Sequence, residues 1–252
     1  MEINGKKVIV IGGASGMGRA SAELLHARGA NVAIFDREGS DGKEVAAGID
    51  GDFYPVDVTD FAATEETLKT AAEKLGGLHV TVTTAGGGIG KRTISKTGPH
   101  DLESFRQTID LNLIATFNIS RLAAHLMSEN EPEDEERGVI INTASIAAFE
   151  GQIGQVAYTA AKAGIAGMCL TMARDLGSLG IRVLAIAPSL FATGLTKGIP
   201  DEFAVALTKD AAFPKRLGRP EEYAKLVAAI VDNPMLNGQC LRLDAGQRFA
   251  PK

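Results

Sequence analysis

The sequence is poor in the residues that several protein classes require. Its 252 residues include two cysteines, Cys169 and Cys240, which are too few and too far apart to predict a disulfide framework or a paired-cysteine metal site. The four histidines have no ligand spacing, so we expect no metal. Positive charge is not in excess, since 26 Lys and Arg face 31 Asp and Glu, and this balance argues against nucleic acid as a partner. The apolar run Val8–Ile11 is far shorter than the roughly 18 residues that span a bilayer, and no cleavage site follows it. We therefore expect a soluble, cytoplasmic protein with no membrane partner.

Short apolar runs alternate with helix-period segments along the whole sequence. Near-continuous apolarity, as in Val8–Ile11, is typical of a strand buried on both faces of a parallel sheet. The seven runs are Lys7–Ile11, Asn31–Phe35, Asp52–Val56, Leu78–Thr84, Val139–Thr143, Ile181–Ala187 and Gln239–Leu243. The helical segments are Gly18–Arg28, Ala62–Leu75, Leu102–Met127, Ala157–Leu179 and Pro220–Val231. The pattern predicts one α/β domain over residues 1–252, a Rossmann-type, doubly wound parallel sheet of seven strands with helices on both faces.

Three segments have no regular pattern: Gly86–His100, Glu129–Arg137 and Phe191–Phe213. The second holds six carboxylates, and we expect it to be a solvated loop. The first and third follow strands at the carboxyl edge of the predicted sheet. Because ligands bind at that edge in such folds, both are candidate binding segments.

A glycine-rich turn follows the first strand directly. Gly12 permits a tight turn, Gly16 lets backbone N–H groups approach a pyrophosphate, and Gly18 allows the next helix to pack closely on the strand. Asp36 ends the second strand, 24 residues after Gly12, where a carboxylate accepts hydrogen bonds from ribose hydroxyls. The alternative is a structural turn with a solvated aspartate. Because Asp36 repels a 2′-phosphate, we predict NAD as the cofactor, while Arg37 leaves NADP as the alternative.

A second group of polar residues has the spacing of a catalytic set. Tyr158 and Lys162 lie one turn apart in a helical segment, and Ser145 follows the fifth strand, 13 residues before the tyrosine. Asn112 is placed mid-helix, where asparagine is a poor helix former. The alternative is an amphipathic helix surface with a snorkelling lysine.

Together these motifs resemble the short-chain dehydrogenase/reductase family over the whole length of the chain. The resemblance implies catalytic roles for Ser145, Tyr158, Lys162 and Asn112. It also implies that the cofactor is bound by Gly12, Ser15, Gly16, Met17, Gly18, Asp36, Asp57, Val58, Thr84, Ala85, Gly86, Tyr158, Lys162, Pro188, Phe191 and Thr193.

The family chemistry suits these residue types. A tyrosine titrates near ~10, so action as a base near pH 7 requires a shift worth roughly 4 kcal/mol. We expect the Lys162 ammonium and the positive nicotinamide to lower the pKa of Tyr158. Ser145 would hold the substrate oxygen, and the resemblance implies that Asn112 positions a water that relays the proton outward.

Four stretches make the resemblance more particular: Asn142–Gln155, Phe213–Gly218, Leu236–Gly238 and the loop Gly86–His100. They are similar to family members that act on 3-hydroxyacyl-CoA and on 17β-hydroxysteroids. This implies interconversion of (S)-3-hydroxyacyl-CoA and 3-oxoacyl-CoA, with hydroxysteroid or other secondary-alcohol oxidation, 3-oxoacyl-carrier-protein reduction and a nucleotide-binding scaffold without turnover as alternatives. We predict that Gln152 and Gln155 bind substrate, unless they are merely exposed loop amides.

Two loops are candidates for the rest of the substrate. The cations Lys91, Arg92 and Lys96 suit coenzyme A phosphates, or else belong to a solvated loop. The segment Phe191–Phe213 offers an apolar cover for an acyl chain or a steroid, or else ordinary helix packing, through Leu195, Ile199, Phe203, Leu207 and Phe213.

The resemblance also implies a homotetramer built on the Leu102–Met127 and Ala157–Leu179 helices and the C-terminal strand region. The chain departs from the family pattern at Ile11, at Thr83 and Thr84, and at Ser189. The last position is usually glycine, so Ser189 either narrows the pocket or tolerates the same backbone angles.

Overall fold

The computed structural model describes residues 1–193 and 201–251. For residues 201–204 it describes the backbone only. Its strands are β1 Lys7–Ile11, β2 Asn31–Asp36, β3 Asp52–Pro55, β4 Val80–Thr83, β5 Ile94–Ser95, β6 Gly98–Pro99, β7 Gly138–Thr143, β8 Ile181–Pro188 and β9 Cys240–Leu243. Its helices are α1 Gly16–Ala27, α2 Gly42–Gly48, α3 Phe61–Leu75, α4 Leu102–Ile109, α5 Ala115–Ser128, α6 Val156–Leu176, α7 Asp201–Thr208 and α8 Pro220–Asp232.

Seven of the strands form one parallel sheet in the order β3-β2-β1-β4-β7-β8-β9. The predicted Rossmann-type, doubly wound architecture is thereby confirmed. The strand order reverses between β1 and β4, and the crevice beyond the carboxyl ends of the strands at such a point is where ligands bind in open α/β sheets.

Both faces of the sheet are covered, as the apolar runs require. On one face α1, α2 and α8 pack against Val8, Val10 and Ile34. On the other face α3, α5 and α6 pack against Ile9, Ile11 and other side chains of the opposite register. Alternate residues of one strand thus serve two separate cores.

Helix α6 and the following 3₁₀ turn form the one described segment that is long and apolar enough to cross a membrane. Seven residues of α6 are nevertheless buried inside the molecule, and the helix packs against the sheet. The segment is therefore a core helix of the α/β fold.

The predicted helix Leu102–Met127 is interrupted. A π-helical turn at Asp110–Ile114 separates α4 from α5, and Asn112 lies in it. Three further elements were not predicted: α2, the β5–β6 hairpin and α7. Helix α7 lies within Phe191–Phe213, which we expected to be irregular. These are short elements whose local patterns are too brief to predict.

The expectation of a solvated acidic loop is wrong for Glu136. This side chain is buried and accepts a 2.6 Å hydrogen bond from the Nε of Arg182, which is itself buried on β8. The same guanidinium donates to the carbonyl groups of Ile230 and Val231 near the end of α8. A buried cation needs a counter-charge, and the acidic segment supplies it.

Candidate active site

The glycine turn after β1 is built for close backbone approach. Gly12 has φ +81°, and a Cβ added there would lie 2.6 Å from the backbone N of Ala85. Gly18 lies against the carbonyl of Gly12. Helix α1 begins at Gly16, its N-cap Ser15 makes no side-chain capping bond, and its first turn holds no acid. Among the residues that the structure describes, no side chain accepts from the first N–H groups of α1, which suits a pyrophosphate.

Asp36 ends β2 beside this turn. Its Oδ2 accepts from the backbone N–H of Ala14 at 3.0 Å, and its Oδ1 accepts from that of Arg37 at 2.8 Å. A carboxylate has about four lone-pair sites, so acceptor capacity for ribose hydroxyls is left. The residues present therefore fit the adenosine end of a dinucleotide.

The next two predicted segments border the same crevice. Asp57 is exposed and accepts from the N–H and hydroxyl of Thr59, which holds the pKa of Asp57 below its usual range, while Val58 is buried. Thr84 donates to the carbonyls of Ile11 and Gly12 and so ties the end of β4 to the glycine turn.

The segment after β8 faces the glycine turn from the other side. Pro188 ends that strand, and a Cβ added to Gly16 would lie 3.0 Å from the Cγ2 of Thr193. Phe191 is buried edge-on against the ring of Tyr223, with ring centroids 6.4 Å apart.

Ser189 follows β8, at a position where the family usually has glycine. It has no positive φ, so the backbone there does not require glycine. Met17 packs partly buried against the core. Of the predicted apolar cover, Leu195 and Ile199, like the side chain of Phe203, lie outside the described residues, whereas Phe213 is highly exposed.

Ser145, Tyr158 and Lys162 come together at the carboxyl edge of the sheet. Ser145 follows β7, and its hydroxyl lies near enough to Tyr158 to act on the pKa of that phenol. The Nζ of Lys162 lies 5.6 Å from the centre of the Tyr158 ring. Helix α6 presents the tyrosine and the lysine one turn apart, as the spacing predicts.

Lys162 is buried, and its Nζ donates to the carbonyl of Thr143 at 2.8 Å. Burial lowers the pKa of Lys162 to about 8, because a charged ammonium is poorly solvated inside the protein. At pH 7 the group is still mostly protonated.

The expected lowering of the Tyr158 pKa is not found in the chain by itself. Burial raises the pKa of Tyr158, and the hydrogen bond with Ser145 acts in the opposite direction. Tyr158 is therefore a protonated phenol at neutral pH.

Asn112 is buried in the π-helical turn, with its amide directed at the loop after β4. Its Nδ2 donates to the carbonyls of Gly87 and Thr108 at 2.6 and 2.8 Å, and its Oδ1 accepts from the N–H of Gly87 at 3.1 Å. A Cβ on Gly86 would lie 2.7 Å from that Oδ1 and 3.3 Å from the Nζ of Lys162. The two polar atoms thus border one small space that glycine leaves open.

The predicted substrate residues already have partners in the protein. Gln152 donates through Nε2 to the carbonyl of Ala250 at 3.2 Å, and the Oε1 of Gln155 accepts from the N–H of Gln152 at 2.9 Å. In the basic loop, Lys91 forms an ion pair with Asp101, the N-cap residue of α4. The described residues include no group of three or more His, Cys, Asp or Glu side chains placed to hold a metal ion.

Sequence reasoning missed a buried chain of hydroxyl groups below the site. The Thr143 hydroxyl lies 2.5 Å from the carbonyl of Thr83 and 2.7 Å from the hydroxyl of Tyr223. A carbonyl only accepts, so the single proton of Thr143 goes to Thr83, and Tyr223 donates to Thr143. The backbone carbonyl of Thr143 also accepts from Lys162. The sequence cannot indicate this contact, because every residue has a backbone carbonyl.

A Rossmann-type sheet with a glycine turn, an acid after β2 and a paired tyrosine and lysine at one edge defines the class of nicotinamide-dependent oxidoreductases. The model of the short chain dehydrogenase family matches residues 6–203. Over 249 residues the chain is 49% identical to 3-hydroxyacyl-CoA dehydrogenase type-2 of Drosophila melanogaster, covering 96% of this chain and 97% of that protein. Over 254 residues it is 45% identical to the Homo sapiens protein of that name, covering 99% and 97%.

A solved structure agrees with these relatives. The crystal structure of 3-hydroxyacyl-CoA dehydrogenase type-2 from Mycobacterium avium superposes with a TM-score of 0.94 at 40% identity, covering 100% of this chain and 98% of that one. The chain belongs to the short-chain dehydrogenase/reductase family and is an oxidoreductase. The family implies a nicotinamide cofactor.

Proposed function

We propose that the protein is an NAD-dependent dehydrogenase that interconverts (S)-3-hydroxyacyl-CoA and 3-oxoacyl-CoA. The observation that supports this most is the group of Ser145, Tyr158 and Lys162 at one edge of the sheet, in a chain 45–49% identical to relatives of that name. A secondary alcohol and a ketone differ by a hydride and a proton, so the site needs a proton donor beside a carbonyl oxygen.

Tyr158 is that proton donor in the direction of ketone reduction. It is protonated at neutral pH because burial raises its pKa, and the nearby Ser145 hydroxyl would meet the same substrate oxygen. Ser145 stabilises the charge that develops on that oxygen. In the direction of oxidation the Lys162 ammonium, close to the ring, stabilises the phenolate that accepts the proton.

Asn112 holds the proton relay. Both N–H groups of its amide are used by backbone carbonyls, but Oδ1 has a second lone pair. That atom and the Nζ of Lys162 lie 2.7 and 3.3 Å from the position that a Cβ on Gly86 would take, so a side chain at residue 86 would close the space between them. A water in that space would accept from Lys162 and pass a proton outward.

When bound, the nicotinamide cofactor accepts or supplies the hydride. The pyrophosphate would be held by the turn from Gly12 to Gly18, with Ser15 and Met17 inside it, and the ribose hydroxyls by Asp36. Asp57 and Val58 would lie beside the adenine. The remaining contacts would come from Thr84, Ala85, Gly86, Tyr158, Lys162, Pro188, Phe191 and Thr193. NAD is favoured over NADP because the Asp36 carboxylate lies where a 2′-phosphate would be, while Arg37 moderates the repulsion.

For the acyl-CoA substrate we assign the phosphate contacts to Arg92 and Lys96. Lys91 is already paired with Asp101 and serves to hold the loop onto α4. Gln152 and Gln155 would bind substrate only after exchanging their internal partners, so they remain secondary candidates.

We also infer a homotetramer in the cytoplasm. Apolar side chains are exposed on the two helical segments that we expected at the interfaces, among them Ile114, Phe117 and Leu170, and Met235 is exposed near β9. Large apolar side chains exposed to water favour association when another subunit can cover them.

Initial-rate assays test the proposal. Acetoacetyl-CoA, its CoA-free analogue S-acetoacetyl-N-acetylcysteamine and a panel of steroid ketones are each offered with NADH and with NADPH. We expect the highest kcat/KM with acetoacetyl-CoA and NADH. Preference for steroid ketones, or for NADPH and the CoA-free thioester, would instead favour a hydroxysteroid dehydrogenase or a carrier-protein reductase.

The variant Tyr158→Phe separates an enzyme from a nucleotide-binding scaffold. It removes one hydroxyl and keeps the ring, so we expect NADH binding to persist while the loss of acid catalysis lowers kcat at least about 100-fold. Unchanged cellular function of this variant would support the scaffold.

A further inference from the structure

The loop Phe149–Gln155, here the connecting loop, joins the turn that carries Ser145 to the helix that carries Tyr158. It has no regular secondary structure, and its conformation is held by residues near the end of the chain. The N–H of Ile153 donates to the carbonyl of Pro251 at 3.1 Å, and the N–H of Phe249 donates to Oε2 of Glu150 at 3.2 Å. The C-terminal segment, Asp244–Pro251, thus lies along the outside of the connecting loop.

An ion pair anchors this contact. Oε1 of Glu150 lies 2.8 Å from Nη1 of Arg242 on β9, and the two side chains are only 21% and 24% exposed. The same guanidinium donates through Nε to Asp244 at 2.6 Å and through Nη2 to the carbonyl of Gln247 at 3.1 Å. It also lies 5.4 Å from the centre of the Phe149 ring. One partly desolvated arginine therefore joins the sheet, the connecting loop and the C-terminal segment.

The C-terminal segment also holds helix α7, which follows β8 on the cofactor-facing edge. Gln247 is 2% exposed, and its Nε2 donates to the carbonyl of Leu207 in the last turn of α7 at 2.8 Å. The carbonyl of Ala245 accepts from the N–H groups of Ala212 and Phe213. The same eight residues therefore contact two separate segments beside the site.

We propose that the C-terminal segment is a positioning element for catalysis, and that the Glu150–Arg242 pair is its anchor. This inference rests on the proposed function, because it assigns the effect to the reaction of Ser145 and Tyr158.

Catalysis tolerates little change in the relative positions of Ser145 and Tyr158. Ser145 and Tyr158 must reach the same substrate oxygen, yet they are joined by a loop that contains Gly151 and Gly154 and makes no ladder with the sheet. A loop of this kind is held by its tertiary contacts, and misplacement by about 1 Å can cost as much as 100-fold in rate. The contacts to Glu150 supply that restraint near the start of the loop, and the hydrogen bond from Ile153 supplies it in the second half.

The variant Glu150→Ala tests the proposal, with Asp232→Ala as the matched control. Asp232 forms a 2.7 Å ion pair with Arg28 on the surface, away from the site. For Glu150→Ala we expect a fall in kcat of about 10-fold, alike for acetoacetyl-CoA and its CoA-free thioester analogue, because the reacting groups are displaced. The dissociation constant of NADH should not change, and Asp232→Ala should behave as the wild type.

Hydrogen–deuterium exchange supplies a readout that needs no substrate. Amides of peptides covering 149–155 should exchange faster in Glu150→Ala than in the wild type, with α1 and β1 unchanged. Wild-type exchange in this loop, an unchanged kcat, or an equal change in NADH binding would each overturn the inference.

The proposed substrate can fail without affecting this test. If the wild type reduces neither thioester, the proposed substrate is wrong. The same two variants are then compared on whichever ketone the wild type does reduce. Arg242→Gln should lower kcat in the same direction as Glu150→Ala. The double variant should cost less than the sum of the two single variants, because the Glu150–Arg242 ion pair is common to both, although Arg248 still lies 3.4 Å from Glu150 when Arg242 is changed.

Discussion

Asn112 and Gly87 exchange two hydrogen bonds, one through each end of the asparagine amide. The side chain comes from a π-helical turn between α4 and α5, and the glycine lies in the loop after β4. The contact therefore joins a helix on one face of the sheet to the edge where Lys162 and Tyr158 lie. It also explains why an asparagine is placed in the middle of a helical segment.

Replacement of Asn112 by aspartate tests this contact with almost no change of shape. A carboxylate cannot donate, so it faces the carbonyls of Gly87 and Thr108 with oxygen atoms, which costs about 3 kcal/mol of folding free energy. Urea unfolding should show this loss, together with a lower kcat. Asn233→Asp is the control, since Asn233 is exposed and uses only its oxygen, as the acceptor for Met235. Equal stability of the two variants would contradict the assignment.

Gly86→Ala should impair the proton relay. The added methyl group would occupy the space between Oδ1 of Asn112 and Nζ of Lys162. We expect kcat to fall about 10-fold or more, as for loss of one acid–base contribution, with a larger solvent isotope effect. Gly39→Ala is the matched variant, because Gly39 also has a positive φ, +81°, while a Cβ there meets nothing within 4 Å. If Gly86→Ala keeps the wild-type rate, no water is needed in that space.

Asp36→Asn should weaken the discrimination between the two cofactors. It removes the charge that repels a 2′-phosphate and leaves Arg37 next to it, so the preference for NADH over NADPH should fall by about 10-fold or more. The ratio of kcat/KM values for NADH and NADPH measures this. The exposed Asp50, replaced by asparagine, should leave the ratio unchanged. If Asp36→Asn keeps the wild-type ratio, residues other than Asp36 determine the preference for NADH over NADPH.

Lys162 should make stability depend on pH in the protein without cofactor. Its pKa is about 8 in the folded chain, against 10.5 for an ordinary lysine. Between these values the unfolded chain binds more protons, so the contribution of Lys162 to stability rises with pH across this window. Relative to Lys162→Met, the unfolding free energy of the wild type should increase by about 3 kcal/mol between pH 7 and pH 11. Urea titrations at several pH values test this, and a flat difference would show that the lysine is not desolvated.

Arg92→Ala with Lys96→Ala tests the contact with coenzyme A phosphates. Loss of two charge-assisted contacts should raise KM for acetoacetyl-CoA by about 10-fold or more. KM for S-acetoacetyl-N-acetylcysteamine, which has the same ketone and no phosphate, should be unaffected. Lys69→Ala with Lys225→Ala removes two exposed cations, on α3 and α8, and controls for net charge. Equal changes in KM for both substrates would contradict the phosphate contact and would favour an ordinary solvated loop.

Features that depend on local sequence patterns were predicted well, whereas features that depend on contacts between residues far apart in the sequence were missed. The seven strands of the large sheet were predicted to within one or two residues, because burial on both faces forces continuous apolar runs, as in Val8–Ile11. The π-helical turn at Asn112 was not predicted, because it depends on a partner 25 residues away at Gly87. The pairing of Glu136 with Arg182 was missed for the same reason, since a charge in an acidic run gives no sign that a buried cation lies beside it.

The sequence by itself determined the sheet, the glycine turn and the one-turn spacing of Tyr158 and Lys162, since these depend on the periodicity of strands and helices. Only the tertiary structure decided the surroundings of those residues. Burial raises the pKa of Tyr158 and lowers that of Lys162, and the C-terminal segment lies against the loop between Ser145 and Tyr158. Solvation and long-range contacts are properties of the folded chain, because they depend on residues that come together only when the sheet forms.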